Sequence, residues 1–437
     1  MLEQVLTQLE MDFLIPKTQL LAIASRFQQH MEQGLKGSDS SLKMFPSYLQ
    51  APLGKEVGTF LALDFGGSNV RAAIVELKGE GTFLELHKLV RPLADPVSGR
   101  DYRSASIKAE ELFDFLAGII QDVLTFSTDN QRLNYRSQPL PLGFAFSFPY
   151  RQRKIGEGFL LRWDKEVKTS GVVGNDVSQL LASALSRRGL GNLIGPAAIV
   201  NDTVTTFLTA AYQDPSVDIA SIIGTGHNTC YLEQKAPGFE TPIIINSESG
   251  NFSGAPQSTY DRTLDLESDN PGEQSFEKML SGKYLGEVFR QIVQDLAHRG
   301  LRDTLYSPAR WNQPYSISSK DLALILTEET ASFSRSINEH LVLQRIAHML
   351  TKRSARLAAA SFIGIVRHLD PHLDTPHTIA IDGSLYERMP GYTQELTAAL
   401  SEGFGNKASQ VTVKLSAGGS LTGAAIAAAL AKLKVQL

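Results

Sequence analysis

The chain is poor in what would tie it to an oxidising compartment or a membrane. Cys230 is its single cysteine, so no intrachain disulfide can form and a reducing compartment is expected. No run approaches the roughly 20 apolar residues that span a bilayer; the most apolar helical stretch, Gly423 to Leu433, is short and alanine-rich. The opening MLEQVLTQLEMDF places Glu3, Glu10 and Asp12 where a secretory leader needs a basic head and an apolar stretch, so export is not expected. Asn201-Asp202-Thr203 and Asn251-Phe252-Ser253 match the glycosylation pattern but mean nothing without secretion. On these absences the protein is expected in the cytoplasm, with no membrane partner.

A dominant charge is lacking too. With 42 basic against 46 acidic residues the formal charge is −4, so no cationic face is imposed that would draw in nucleic acid. The 42% hydrophobic and 20% charged content, with both signs scattered, excludes extensive disorder. Neither GxxxxGK[ST] nor GxGxxG occurs, which disfavours the common nucleotide folds. What remains is a globular protein of 437 residues, long enough for two or three domains at roughly 100 to 200 residues each.

Periodicity then orders the chain. Apolar residues at Leu2, Val5, Leu6 and Leu9, and again at Leu20, Leu21, Ala24 and Phe27, predict a helix broken near Pro16. After a Gly/Pro/Ser-rich connector, Gly37 to Gly58, the stretch Thr59 to Leu77 reads as strand, tight turn, strand. Helices are expected at Glu110 to Phe126, Asn175 to Arg187 and Thr203 to Tyr212, with strands at Leu140 to Phe148 and Ala197 to Val200. A second strand-turn-strand spans Ile219 to Glu233. The remainder is richer in helix, at Phe276 to Leu296, Ser319 to Asn338, His340 to Val366 and Gly423 to Leu433, with short strands at Thr378 to Ile381 and Val411 to Leu415. This alternation argues for α/β layering.

The two hairpins, LALDFGGSNVRAAIVEL and IASIIGTGHNTCYLEQ, put glycine where the chain reverses and read as two copies of one half-fold. Glycine lets backbone N–H groups approach phosphate oxygens. In the first hairpin Gly66 and Gly67 precede Ser68, Asn69 and Arg71, donors suited to anionic oxygens, while Asp64 ends a buried strand where a carboxylate needs a cation; Mg²⁺ reached through its waters is a sensible one. In the second, Gly224, Thr225, Gly226 and Asn228 offer backbone approaches, a hydroxyl and an amide. Either hairpin alone reads more readily as a plain tight turn; the pair shifts the balance toward a nucleotide. Asp202, in IVNDTVTTF, stands at a strand end beside a helix start, placed for a general base and equally for a helix N-cap.

Taken together these segments resemble the hexokinase family. LALDFGGSNVR resembles its first phosphate motif, GFAFSFP and the RWDK stretch its sugar loop, VNDTVTTFL its catalytic segment and IIGTGHNTCYLE its second phosphate motif. INSESGNF and FEKMLSGKYLGE resemble two further sugar-binding segments; IDGSLYERMP and GGSLTGAAIAAAL resemble the adenosine region and final helix. The matches run in family order over nearly the whole chain.

The resemblance implies a two-lobed actin-like ATPase (ribonuclease H-like) fold of the hexokinase type, with a cleft between the lobes. The small lobe would cover residues 60–198, with helix 423–437 returning to it, and the large lobe residues 1–59 and 199–422. It implies transfer of the γ-phosphate of Mg-ATP to the 6-hydroxyl of a hexose, by a monomer or homodimer. Asp202 would be the base, Lys165 would lie near the reacting hydroxyl, and Ser147, Asn201, Asn246, Glu248 and Glu277 would bind the sugar with them. Asp64, Gly66, Gly67, Ser68, Asn69 and Arg71 would face the phosphates and Mg²⁺, joined by Gly224, Thr225, Gly226 and Asn228. Gly383, Ser384 and Gly418, Gly419 and Ser420 would border the adenosine.

Three positions depart from the family pattern: Asp164 stands for the Thr of Thr-Lys, Ser249 for the Trp of Glu-Trp-Gly, and Gly418 for an Asp before Gly419-Ser420. A pocket relieved of the aromatic could admit a 2-acetamido group, which keeps an N-acetylglucosamine kinase open as an alternative. A non-catalytic sugar sensor and a chaperone-type ATPase are the others; the retained Asp202 and Lys165 speak against the sensor, and the sugar segments against the chaperone. His368, His372 and His377 with Asp370 and Asp374 have the composition of a metal cluster, but Pro371 and Pro376 break the helix needed for i, i+4 ligation, so a polar loop is expected. Cys230, in an apolar strand, reads as a packed thiol.

Overall fold

The computed structural model describes residues 2–96, 98–128, 139–301, 309–327, 334, 336–416 and 419–435. They form thirteen strands and thirteen α-helices in two compact units, one of residues 1–44, 221–229 and 247–415, the other of residues 45–220, 230–246 and 416–437.

The second unit is built on a five-stranded sheet of β2 (Val57–Phe65), β3 (Asn69–Gly79), β4 (Thr82–Pro92), β5 (Leu140–Phe146) and β8 (Ile194–Val200), in the order β4-β3-β2-β5-β8. β2, β3 and β4 form an antiparallel meander, and β5 and β8 add on in parallel. Alternation along β2 sends Leu61, Leu63 and Phe65 into one core with Leu112, Phe113 and Leu116 of α3 (Ala109–Thr128) and Leu181 of α4 (Val177–Arg187). Asp64 falls on the opposite face. There α13 (Ser420–Val435) packs against the sheet and against α5 (Asp202–Gln213). α13 is apolar all round because it is buried all round. Its backbone comes so close that a Cβ on Gly143 would overlap the Ala424 carbonyl, and one on Gly423 the Thr205 carbonyl. A small hairpin, β6 (Tyr150–Arg151) with β7 (Phe159–Leu160), completes this sheet's surroundings.

The other sheet has the order β1-β11-β10-β9-β12-β13, from β1 (Phe45–Pro46), β9 (Val217–Ile223), β10 (His227–Glu233), β11 (Ile243–Asn246), β12 (His377–Asp382) and β13 (Val411–Leu415). The division into units runs through β9 and β10. Within the first unit the 33-residue helix α10 (Ile337–Leu369) is the organising element. Its buried stretch Ala355 to Val366 meets α2 (Lys17–Leu35), where Gly364 approaches the Ala24 carbonyl, and α12 (Tyr392–Phe404). Burying Ile23, Phe27 and Met31 of α2 contributes about 1.5–3 kcal/mol for each side chain. Shorter helices α1 (Leu2–Phe13), α6 (Thr259–Glu267), α7 (Ser275–Leu280), α8 (Gly282–Leu296), α9 (Ser319–Leu326) and α11 (Ser384–Arg388) surround it. Arg353 of α10 and Asp261 of α6 form a buried ion pair at 2.7 Å, the carboxylate also completing a capping box with Ser258.

Three expectations change. Phe276 to Leu296 is two helices, because the chain turns at Ser281 so that Gly282 N–H can reach the Gly224 carbonyl. The helix expected over Ser319 to Asn338 ends at Leu326; residues 328–333 and 335 lie outside the described residues. β4 was not legible because its burial pattern is that of an exposed edge strand. Among the described residues no helix is long and apolar enough to cross a membrane.

Candidate active site

In the second unit the first glycine turn joins β2 to β3, whose register sets Asp64 opposite Arg71. The Asp64 carboxylate is 2% exposed, and Arg71 donates to its Oδ2 at 2.8 Å. Burial pushes its carboxyl above the ordinary range, the guanidinium opposing that only in part. A cation would therefore offset a real desolvation cost, and this donor fits Mg²⁺ held through its waters. A Cβ at Gly66 would have nothing within 4 Å, leaving its backbone open to a ligand. Ser68 is exposed, Asn69 half-buried, and the Arg71 side chain 44% exposed.

Gly67 is different, because a Cβ there would sit 2.7 Å from the Lys165 Cβ. Lys165 adopts φ +53° and its neighbour Glu166 φ +66°, so the loop folds its side chain back across the turn. Its ammonium donates to the Ser147 carbonyl at 2.7 Å and lies 3.7 Å from Asp202 Oδ2. Ser147 is in turn held by its N–H on the Phe65 carbonyl at 3.2 Å. Trp163 pins the loop, its indole donating to the Thr169 carbonyl at 2.7 Å and its ring edge-on to Phe148 at 4.8 Å.

Asp202 is the first residue of α5. The N-cap is Asn201, whose Oδ1 accepts the Thr203 N–H at 2.9 Å; Asp202 Oδ1 accepts the same N–H at 2.8 Å. The capping role entertained for Asp202 thus belongs to its neighbour, and Asp202 keeps Oδ2 toward Lys165. Thr205 and Thr206 bond back to the Asp202 carbonyl at 2.6 and 3.1 Å, tightening the first turn beneath the carboxylate. Asn246 ends β11, 7% exposed, opposite Cys230 in register. Cys230 is fully buried and burial pushes its thiol well up, as befits a packed residue. Gly419 leads into α13 under Thr209, whose hydroxyl bonds the Gly419 carbonyl at 3.0 Å, and Ser420 opens the helix. Gly418 lies outside the described residues.

The first unit gathers the second glycine turn with three of the other expected segments. Gly224 N–H donates to the Gly226 carbonyl at 3.0 Å, while Gly282 and Lys283, at the start of α8, donate to the Gly224 and Thr225 carbonyls at 2.8 and 3.0 Å. A Cβ on Gly224 would lie 3.4 Å from the Gly383 Cα and 3.5 Å from the Ser384 nitrogen, so the segment expected to border the adenosine abuts this turn. Gly383 itself has φ +127° and no room for a side chain against the Ile223 carbonyl. Glu277, in α7, accepts the His227 N–H on Oε2 at 2.8 Å and lies beneath Gly226 and Gly250. Asn228 Oδ1 accepts from Thr229 and Ser249 N–H groups at 2.7 and 3.2 Å, so its carbonyl ties the turn to the Glu248 segment. Glu248 stands in the left-handed region at φ +52°.

Two contributors were missed. His227 was passed over inside the glycine motif; its ring is buried edge-on to Phe276 at 5.7 Å, and burial lowers its pKa to about 4, so it packs as a neutral group while its backbone holds Glu277. A titratable residue wedged between Gly226 and Asn228 was the available signal. Trp163, one of two tryptophans, sits two residues before Lys165. Ser249 also proves to be fully buried, so the position vacated by tryptophan faces packed protein. In the polar loop after α10, Asp370 accepts N–H bonds from Asp374 at 2.6 Å and Thr375 at 2.9 Å, which close the loop on its carboxylate.

Family models described as hexokinase match residues 5–212 and 218–430. Hexokinase-7 of Oryza sativa subsp. japonica is 34% identical over 98% of this chain and 96% of its own. Among solved structures, a hexokinase aligns with TM-score 0.84 at 32% identity over 98% of this chain and 99% of that one. The hexokinase from Schistosoma mansoni, solved as a glucose complex, aligns with TM-score 0.79 at 30% identity over 98% of each chain. With both halves of the pattern matched in order on an α/β actin-like ATPase fold, this chain belongs to the hexokinase family, phosphotransferases that act on a sugar hydroxyl.

Proposed function

We propose that the protein transfers the γ-phosphate of Mg-ATP to the 6-hydroxyl of glucose or a close hexose, in the cytoplasm. The observation that carries this reading is the Asp202 carboxylate at the buried start of α5 with the Lys165 ammonium 3.7 Å from its Oδ2. A carboxylate held by its helix's first turn is positioned for a hydroxyl proton in a way a freely rotating surface acid is not.

In the proposed reaction the sugar oxygen attacks the γ-phosphorus, the bond to the bridging oxygen of the departing ADP breaks, and Asp202 takes the hydroxyl proton. Lys165, fixed on the Ser147 carbonyl, lies beside the reacting hydroxyl. Asn201, Asn246, Glu248, Glu277 and Ser147 supply donors and acceptors to the sugar, and a hydroxyl missing or inverted leaves such groups unpaired, which is how a wrong sugar is refused. Gly66 to Arg71 offer backbone and side-chain donors to phosphate, as do Gly224 to Asn228; Gly383, Ser384 and Gly418 to Ser420 border the adenosine. Asp64 is the residue suited to hold Mg²⁺, which when bound supplies charge neutralisation on phosphate oxygens. The glucose bound by the Schistosoma mansoni relative supports glucose as acceptor, and the burial of Ser249 favours it over N-acetylglucosamine.

ADP release by the purified chain, measured across glucose, fructose, mannose, glucosamine and N-acetylglucosamine with a 6-deoxy sugar as dead acceptor, tests the proposal. Turnover with glucose and none with 6-deoxyglucose is expected. Sugar binding with no ADP would make the protein a sensor, and ADP release indifferent to sugar would make it a plain ATPase.

A further inference from the structure

A groove of about 830 Å³ lies wholly within the first unit, away from every residue assigned above. Its walls are the end of α1 with Leu14 and Ile15, the middle of α10, and the first turn of α12. The volume is that of a small-molecule site, about 300–1,000 Å³. We propose that it binds an amphiphile with one anionic head, a carboxylate or phosphate monoester carrying an apolar tail.

The tail side is set by Met11, Leu14 and Leu341, which line the groove and are 64%, 50% and 55% exposed, a run of apolar surface that none of the described residues covers. The head side is set by α12, a 13-residue helix whose start at Gly391, φ +79°, has no side-chain cap. Pro390, Gly391 and Gln394 line the groove there, so the positive end of the helix faces it. A second observation points to a ligand independently. Thr351 lines the same groove beside the start of α12, is 2% exposed, and among the described residues its hydroxyl has no hydrogen-bond partner, a state that costs free energy and that a ligand oxygen would relieve.

The cations sort themselves by how firmly they are held. Arg345 is engaged by Glu3 and Glu10, Arg353 by Asp261, and Arg356 by Glu402 and the Ile15 carbonyl. Lys352 has only a 3.5 Å contact to Glu395 and is 48% exposed, a surface pair worth little. Its ammonium is the group free to move onto an incoming head. Glu395 is the anion now serving α12's first turn, and the ligand head takes over that role.

The test is calorimetric titration of the full chain with decanoate and with decyl phosphate below their micelle concentrations, 1-decanol serving as the headless control. Saturable one-to-one binding of one or both anions, at least about tenfold tighter than decanol, is expected; the relative strength of the two heads separates carboxylate from phosphate. Lys352→Glu weakens it by about tenfold, and Thr351→Val, which keeps the side chain's shape, by several-fold. Met11→Glu, at a position too exposed to threaten the fold, abolishes it. Heat that never saturates, anion binding no tighter than decanol, or binding indifferent to Met11→Glu and Lys352→Glu overturns the proposal. None of these readouts depends on sugar phosphorylation.

Discussion

Gly67→Ala is the substitution whose outcome the geometry constrains most. The added Cβ would lie 2.7 Å from the Lys165 Cβ and 3.3 Å from its Cδ. Carbon atoms rest no closer than about 3.5 Å, so one of the two must move by roughly 0.8 Å. The near contact is to a Cβ, not to the swinging end of the side chain, so the Lys165 backbone or the β2–β3 turn has to give. Gly67 does not have a positive φ, so alanine brings no backbone strain of its own and the whole effect passes through Lys165. The ammonium then leaves the Ser147 carbonyl. A hydrogen bond from a charged donor contributes about 1.5–3 kcal/mol, and at about 1.4 kcal/mol per decade the loss is roughly 10- to 100-fold in kcat/KM. Misplacing a catalytic group by about 1 Å costs the same order. Stability should barely change, since the Lys165 side chain is 42% exposed; a melting shift within about 2 °C is expected.

The assay is steady-state ADP release for wild type, Gly67→Ala, Lys165→Gly and the double variant, glycine at 165 removing the Cβ that the new methyl group would strike. If alanine acts through Lys165, adding it to Lys165→Gly costs nothing more, so the cycle is strongly non-additive. Gly66→Ala makes the contrast: its Cβ meets no protein atom within 4 Å and leaves Lys165 in place, so any loss it causes comes from crowding the phosphate side of the turn and adds to that of Lys165→Gly. Fully additive losses, or a Gly67→Ala enzyme with normal turnover, would refute the reasoning.

Further outcomes are open to measurement. Asp202→Ala should lower kcat by at least about 100-fold, as expected for losing a general base, while titration by intrinsic fluorescence still shows sugar binding. Near-normal turnover would remove Asp202 from the chemistry. Gly143→Ala, forced against the Ala424 carbonyl, should destabilise by about 1–3 kcal/mol in urea unfolding, and an unchanged midpoint would mean that α13 does not seat so closely. Burial raises the Asp370 carboxyl, but donations from Thr375 and Asp374 outweigh it and bring the pKa from 3.8 to about 2. A folded value below the unfolded one contributes stability above the unfolded pKa and loses it as pH falls through the folded one, so the stability gap between wild type and Asp370→Ala should shrink from about pH 4 to pH 2. A gap independent of pH would contradict the loop's hydrogen bonding.

Local pattern made the helices and inner strands legible. α1 to α3 bury the residues that their own helical spacing picks out, while α5, the buried half of α10 and the inner strands β2, β3, β9 and β10 show as apolar runs covered on more than one face. β4 escaped because an exposed edge strand has no apolar alternation to read, and the break at Ser281 because it is imposed by a hydrogen bond to Gly224, 58 positions away in sequence and invisible from either side. The short β11 and α11 lacked the length for a period to show.

For the site, residue types and spacing alone determined which groups bear chemistry: two glycine turns, an acid at a strand end, a second acid at a helix start. Tertiary structure decided what each is for. Only folding showed that Asn201 caps α5 and releases Asp202, that Gly67 is glycine because a lysine 98 residues on lies across it, that Ser249 faces packed protein, and that Gly224 abuts Gly383. The reason is physical: periodicity and turn chemistry are written in neighbours along the chain, whereas room for a methyl group or a partner for a carboxylate depends on atoms that the sequence keeps far apart.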